Sequence, residues 1–466
     1  MKIFKIDNDI LNYLNVNDYV ALRDIFKYHE LYLVGGCVRD ILLGRSPKDF
    51  DFCTDLAPED MIVLSAAHSM FEVIPTGLKH GTVTLHSKFS NNSYEITTFR
   101  ADGDYSDHRH PNSVEFSKSL EEDLKRRDLT INSFAVDVLH CGEGLDLYML
   151  DESYYYDLQY GIIRAVGDPR KRFEEDALRM LRAIRFAAQL GFTLDADTFN
   201  AIKEKASTIQ FVSRERIRDE LTKIVMSDRP QALEFLSMTG LDEAIDLPIS
   251  KMLEEPQRSK YHYADVFHHT MDVMKSVKKD FVTRWAAFFH DWGKLETVSV
   301  DEDGWQHYYG HPDVSATLAA EFMTKYKFDN DSFDAIYKLV KYHDAAIGQD
   351  VKMSTMKKFV QKIGKDLIPK FIDLTTADRF AHRLSDIKFS IGNIDSGKKK
   401  LIEIAMTEAP ISLKDLAVNG YDMIDLGLNG KQIGDALNCC LDYILEHPEC
   451  NTKEVLIKYI EDKHND

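Results

Sequence analysis

The chain has 466 residues, 44% hydrophobic and 29% charged, a balance that suits a soluble globular protein of two to four domains. Its net charge of −19 excludes a uniformly basic nucleic-acid binder, but binding depends on local patches rather than on sums. No apolar run approaches the roughly 18 residues of a membrane span, and MKIFKIDNDI carries charge too early for a signal peptide. Six cysteines, at 37, 53, 141, 439, 440 and 450, form no CxxC pair. That pattern predicts a reducing, cytoplasmic setting without structural zinc or disulfides.

In chain order, the first informative stretch is LYLVGGCVRDILLGRSPKDFDF, residues 31 to 52. Leu31 to Val34 is an apolar run of strand length. Gly35-Gly36 permits a sharp turn and a close approach to the backbone. Val38 to Leu43 is helix-like, and Gly44 is a C-terminal stop. Asp49-Phe50-Asp51-Phe52 alternates, so a strand here points both acids one way and both rings into the core. Such a pair is either a solvated surface or a site for Mg²⁺, which takes one or two carboxylates plus substrate phosphates. The glycine turn and Arg39 supply donors for a polyphosphate. GGxVRDxLLG followed by DFDF resembles the class II tRNA nucleotidyltransferases, the family of bacterial CCA-adding enzymes and poly(A) polymerases. The resemblance implies nucleotidyl transfer, with Asp49 and Asp51 as catalytic metal ligands and Gly35, Gly36 and Arg39 at the triphosphate.

Residues 58 to 70 read as a helix with Met61, Ile62, Leu64 and Ala67 as its apolar stripe. Strands follow at 71–74, 82–85 and 94–99. Glu95 is either a third catalytic acid on a neighbouring strand or an edge residue facing water. DGDYSDHRHP, from Asp102 to Pro111, reads as a mobile polar loop. The family carries at this place a loop that assists the switch from C to A addition. His108 stands where a smaller residue usually precedes the loop arginine. LKRRDLTINSFAVD places Arg126, Arg127 and Asp128 before a helix-like segment. A carboxylate there can accept from a ribose 2′-hydroxyl, the group that separates RNA precursors from DNA precursors. The resemblance implies that Arg127 and Asp128 select ribonucleotides and that Asn132 lies near the triphosphate.

After the Gly167-Asp168-Pro169 turn, Phe173, Ala177, Met180, Leu181, Ile184 and Ala188 recur at helical spacing and predict one buried stripe. Asp176 and Arg179, at i and i+3, form either a helical salt bridge or a base reader. Adenine and cytosine each show an amino donor beside a ring-nitrogen acceptor; Asp176 matches the first and Arg179 the second. Guanine and uracil show the opposite pattern. The family's EDxxR motif, matched by Glu175, Asp176 and Arg179, is assigned that task, with Glu175 orienting the arginine. Arg164 to Arg185 holds seven basic residues against four acidic ones, a stripe that suits RNA, with Arg182 and Arg185 as contacts. Ser213 to Val225 reads as an amphipathic helix with a Ser N-cap.

Further on, His269, His290-Asp291 in FFHDWGK, His311, His343 and Asp378 lie in a helical pattern and resemble the HD phosphohydrolase superfamily. Such ligands suit Mn²⁺, Ni²⁺, Co²⁺ or Mg²⁺. In the tail, Gly427, Gly430 and Gly434 punctuate a turn before a helix at Ile433 to Leu445. The family resemblance makes this an arm holding the tRNA elbow, with Lys431 near phosphates. The expected fold class is α+β: a small mixed-sheet nucleotidyltransferase head (1–150), a helical neck (151–254), an HD domain (255–385) and a helical tail (386–466). The expected function is template-independent addition of CMP and AMP to a tRNA 3′ end from CTP and ATP, with Mg²⁺ in the head. The alternatives are a poly(A) polymerase, a CC-adding or A-adding enzyme, or an HD phosphohydrolase with an RNA-binding module.

Overall fold

Short apolar and β-branched runs in the first third of the chain build a single sheet. Its strands, with a separate two-stranded ribbon (β7, β8), are β1 (Lys2–Ile6), β2 (Leu31–Val34), β3 (Phe50–Thr54), β4 (Phe71–Ile74), β5 (Thr82–Ser87), β6 (Ser93–Thr98), β7 (Arg100–Asp102), β8 (Val114–Phe116), β9 (Ala135–Asp137) and β10 (Leu145–Met149). The computed structural model describes residues 1–75, 77–78, 81–102, 114–140, 144–259, 264–345, 351–382, 397–406 and 413–465. Most of the loop expected at Asp102 to Pro111, and Cys141, lie outside the described residues. The sheet order is β1-β10-β9-β2-β3-β6-β5-β4. Every neighbouring pair is antiparallel except β3 with β6. The head and the residues that follow are thus mixed α and β, as expected.

Alternation decides what each strand buries. Tyr32, Val34, Cys53, Phe99 and Ala135 pack with Leu120 and Leu124 in one cluster, while Leu33, Phe52 and Ile96, of the opposite parity, are also buried. Asp18, fully buried, accepts from Ser87 Oγ (2.6 Å) and Tyr94 O–H (2.8 Å) and so pins the β5–β6 hairpin.

Three expected elements differ. The helix after Pro58 ends at Ala66, and it buries Met61 and Ser65 whereas Leu64 is 39% exposed. LTINSFAVD forms a 3₁₀ turn at Thr130–Asn132 and then β9, because Ala135 to Asp137 completes the sheet between β10 and β2. The neck helix is two helices, Pro169–Glu175 and Leu178–Leu190, although all six residues of the expected stripe are buried. Ser213 does stand at the N-cap of Arg214–Val225, but its side chain makes no cap bond.

The chain divides into two compact units, Met1–Leu247 and Pro248–Asp466. Among the described residues the second is helical apart from one hairpin, Ser299–Val300 with Gln306–His307. Its helix Phe281–Phe289 is anchored by Trp285, which stacks on Phe289 at 5.2 Å and meets Phe328 edge-on at 5.1 Å. That packing fixes the helix end from which His290 and Asp291 project. No helix among the described residues is long and apolar enough to cross a membrane.

Candidate active site

Gly35 ends β2 with φ +77°, a conformation that disfavours any side chain. A Cβ there would lie 3.0 Å from Arg127 Nη1 and 3.9 Å from Asp51 Oδ2; one on Gly36 would lie 3.6 Å from Arg39 Nη2. The Gly35 amide donates to the Phe134 carbonyl at 3.3 Å, so the residue contributes room rather than a free donor. Two guanidiniums and a carboxylate therefore crowd one turn of backbone.

Asp49 is exposed in the bend just before β3, and Asp51 is the second residue of that strand. The pair was expected within one strand; β3 instead begins at Phe50. The parallel register sets Asp51 directly beside Glu95 on β6. Burial, then Glu95, and further Asp49 push the Asp51 carboxyl up to about 6 against the opposing pull of Arg127. A divalent cation relieves that repulsion, and an all-oxygen donor set fits a hard ion of the Mg²⁺ kind.

The LKRRD segment supplies the next layer. Arg126 and Arg127 both pair with Asp123, which is fully buried; Arg127 Nη2 reaches Asp123 Oδ2 at 3.0 Å. Asp123 was not singled out from the sequence, although its i, i+4 spacing to Arg127 is the signal for the pairing. Asp128 Oδ2 accepts from Arg182 Nε (2.6 Å) and Oδ1 from Asn132 Nδ2 (3.2 Å). Asn132 Oδ1 in turn accepts from Arg39 Nη1 at 2.7 Å. Arg39, Asn132, Asp128 and Arg182 thus form one continuous chain of bonds.

Arg182 and Arg185 were expected to face RNA. Instead Arg182 is tied to Asp128, and Arg185, 7% exposed, pairs with Glu220 at 3.1 Å. Burial, and next the charge of Arg182, push the Arg185 guanidinium down to about 10. Arg185 thus belongs to the interior rather than to an open basic stripe, while Arg182 keeps a third of its side chain exposed. Lys431 is exposed at the start of the helix Lys431–Glu446.

The EDxxR residues straddle the break between the two neck helices. Asp176 has φ −142° and ψ 105°, outside helical space. Its Oδ1 accepts from the Leu178 amide (3.0 Å) and its Oδ2 from Arg216 Nη2 (2.9 Å). Arg179 Nη1 donates to Glu175 Oε2 (2.6 Å) and Nη2 to the Arg126 carbonyl (3.1 Å). The Asp176 and Arg179 side chains thus have different partners, and the bond between the two residues is the Arg179 amide to the Asp176 carbonyl at 3.0 Å. Glu175 also pairs with Arg172, at 2.8 Å.

The second unit gathers His269, His290, Asp291, His311, His343 and Asp378, every residue expected there, into overlapping ligand groups. His290, His311 and His343 each donate Nδ1–H to the carbonyl three residues earlier, at 2.8, 2.9 and 2.7 Å. That fixes the tautomer and turns each Nε2 inward. Asp291 Oδ2 faces His269 and His290 at 3.3 and 3.2 Å, while Oδ1 faces His311 and His343 at 3.4 and 3.8 Å. His382, which sequence reading passed over, joins His269 and Asp378 in a further group; its i+4 spacing from Asp378 is the overlooked signal. Asp291 Oδ2 also meets Lys294 Nζ at 2.7 Å, whereas the fully buried His290 Nε2 makes no well-formed hydrogen bond, a mark of an atom placed for something other than its protein neighbours.

Residues 31–163 match the family model of the poly A polymerase head domain, and residues 191–245 that of the probable RNA and SrmB- binding site of polymerase A. A CCA-adding enzyme of Lactobacillus helveticus is 47% identical over 217 residues, 46% of this chain and 51% of that protein. The crystal structure of the Bacillus stearothermophilus CCA-adding enzyme in complex with CTP is similar with a TM-score of 0.68 at 25% identity, over 96% of this chain and 98% of that one. A CCA-adding enzyme of Ligilactobacillus salivarius is 34% identical over 432 residues, 92% of this chain and 91% of its own length. By that last match, which spans nine-tenths of both proteins, the chain belongs to the CCA-adding enzyme family.

Proposed function

We propose that this chain adds CMP and AMP to the 3′ end of tRNA, taking them from CTP and ATP and releasing pyrophosphate. The observation that carries the proposal is the crowded Gly35–Gly36 turn, where Asp51 and Glu95 face each other beside Arg39 and Arg127. Nucleotidyltransferases of this kind use a divalent metal; Asp49 and Asp51, with Glu95 beside them, would hold Mg²⁺. When bound, such an ion neutralises the leaving pyrophosphate and eases ionisation of the attacking hydroxyl. Arg39 and the Gly35–Gly36 turn steady the triphosphate, and Arg127 selects the ribonucleotide together with Asp128. Asp128 is the acceptor for the ribose 2′-hydroxyl, and Arg182, Asn132 and the Leu129 amide hold it still. Asp176 accepts from the amino group of cytosine or adenine, and Arg179 donates to the ring nitrogen. Their anchors are Arg216 on the helix Arg214–Val225 and Glu175 at the end of Pro169–Glu175, so the reading edge is set in advance. Lys431 offers its charge to tRNA phosphate, and the free thiols among the described cysteines suit a reducing cytoplasm.

The test offers labelled CTP and ATP, separately and together, to tRNAs ending at the discriminator base, at C and at CC. Completion of CCA from all three is expected. Runs of AMP indicate a poly(A) polymerase, and extension restricted to C or to A indicates a partial enzyme. A metal-replete preparation that extends no RNA overturns the proposal.

A second reading is carried by Asp291, whose two oxygens face separate histidine pairs. That arrangement suits one or two ions, with His269, His290, Asp378 and His382 on one side and His311 and His343 on the other, for phosphate-ester hydrolysis. Mn²⁺, Ni²⁺, Co²⁺ and Mg²⁺ are the candidates. Such an ion, when bound, supplies a nucleophilic water. Burial pushes His343 down to about 3 and keeps its ring neutral, the form that ligates. Metal analysis and assays on phosphomonoesters and cyclic phosphodiesters test it; an empty site and no hydrolysis with any of the four metals remove it.

A further inference from the structure

Phe186 stands on the helix Leu178–Leu190 and is 7% exposed. Three guanidinium carbons approach its ring centroid: Arg185 at 4.0 Å, Arg39 at 4.8 Å and Arg182 at 5.6 Å. Each cation has its own carboxylate, Asp40 for Arg39, Asp128 for Arg182 and Glu220 for Arg185. Those carboxylates neutralise charge but do not hold the three cations in register, because they stand on separate parts of the chain. Like charges this close repel; after burial, the charges of Arg182 and Arg39 also lower Arg185. A π face attracts every cation laid against it, so one ring can gather what Coulomb repulsion would spread.

The ring also closes a loop. Arg39 and Arg182 are the two ends of the bonded chain that runs through Asn132 and Asp128. We propose that Phe186 is a positioning residue for the incoming ribonucleoside triphosphate, fixing Arg39 at the glycine turn and Arg182 behind Asp128 before the nucleotide arrives. This rests on the reading of Arg39 and Asp128 as nucleotide contacts. Phe186 itself touches neither phosphate nor ribose; it acts through the two arginines.

Steady-state kinetics on the full chain decide the matter. Phe186→Leu keeps an apolar side chain of similar bulk but removes the π face. It should raise KM for CTP and ATP about ten-fold, the scale of one buried cation–π contact, while kcat and the KM for tRNA stay within about two-fold. Phe186→Tyr should restore the nucleotide KM. The proposal is overturned if Phe186→Leu leaves the nucleotide KM unchanged, or if Phe186→Tyr is as impaired as Phe186→Leu. It is overturned equally if kcat and both KM values worsen together with the melting temperature, as lost packing alone would give. Should Phe186→Leu not fold, Phe186→Met is judged by the same criteria. Arg39→Gln separates the two levels. If it does not raise the nucleotide KM, the reading of Arg39 fails and the proposal with it. If it does and Phe186→Leu does not, only the role of Phe186 fails.

Discussion

Burial by itself favours the protonated form of Asp128, but the Arg182 guanidinium 2.6 Å away reverses that preference and holds the carboxyl down to about 2. A carboxyl depressed in the folded state adds stability that is present above its unfolded value, near pH 4, and is lost as pH falls through about 2. The size is about 2 kcal/mol at neutral pH. Asp128→Asn is therefore expected to lower stability by that amount at pH 7 and to flatten the acid limb between pH 4 and 2, read by urea titrations across that range. Arg179 makes the complementary case, a residue whose partners are local and whose cost lies in selectivity. Arg179→Ala should keep the fold and lose preference for CTP and ATP over UTP and GTP by one to two orders of magnitude, on the scale of one or two charge-assisted hydrogen bonds. Competition assays with all four nucleotides measure it; a variant that discriminates as the parent does would remove Arg179 from base reading.

Elements place these residues, and the local ones were the legible ones. The turn from β2 to β3 could be read because each residue there obeys a short-range rule: an apolar run, two glycines, an alternation of Asp and Phe. Gly35→Ala tests that rule. Its Cβ meets Arg127 Nη1 at 3.0 Å in a backbone of φ +77°, so a cost of about 1–2 kcal/mol in stability and at least a ten-fold loss of nucleotide addition are expected, with circular dichroism unchanged. The break at Asp176 was not legible, because six apolar positions keep helical spacing straight across it. Asp176 accepts from the Leu178 amide two residues on, and the partner that holds it there is distant, Arg216, forty residues on. Leu64 misled for a similar reason, since periodicity names a stripe but the sheet decides how much of it is covered. The acids and histidines were recognisable as types; Asp123 and His382 were missed because their function depends on pairing to neighbours already chosen for other reasons.

At the scale of the whole chain, two units carry two unlike sets of ligands. The first offers carboxylate oxygens and the second chiefly imidazole nitrogens, a division that sorts hard ions from borderline ones. His290→Ala should empty the second set, abolishing bound transition metal and any phosphoesterase activity, while CCA addition with Mg²⁺ stays within about two-fold. Metal analysis beside the extension assay checks both halves of that statement. The topology of the first unit has a consequence in time. A strand that runs parallel to its neighbour cannot be reached by a hairpin, so Glu95 comes to rest beside Asp51 only after the helix Pro58–Ala66, β4 and β5 have been laid down between them. Closures over long stretches of chain come after local ones. Capture of a divalent ion by the refolding head should accordingly lag the return of helical signal, and the delay measures how late this sheet acquires its chemistry.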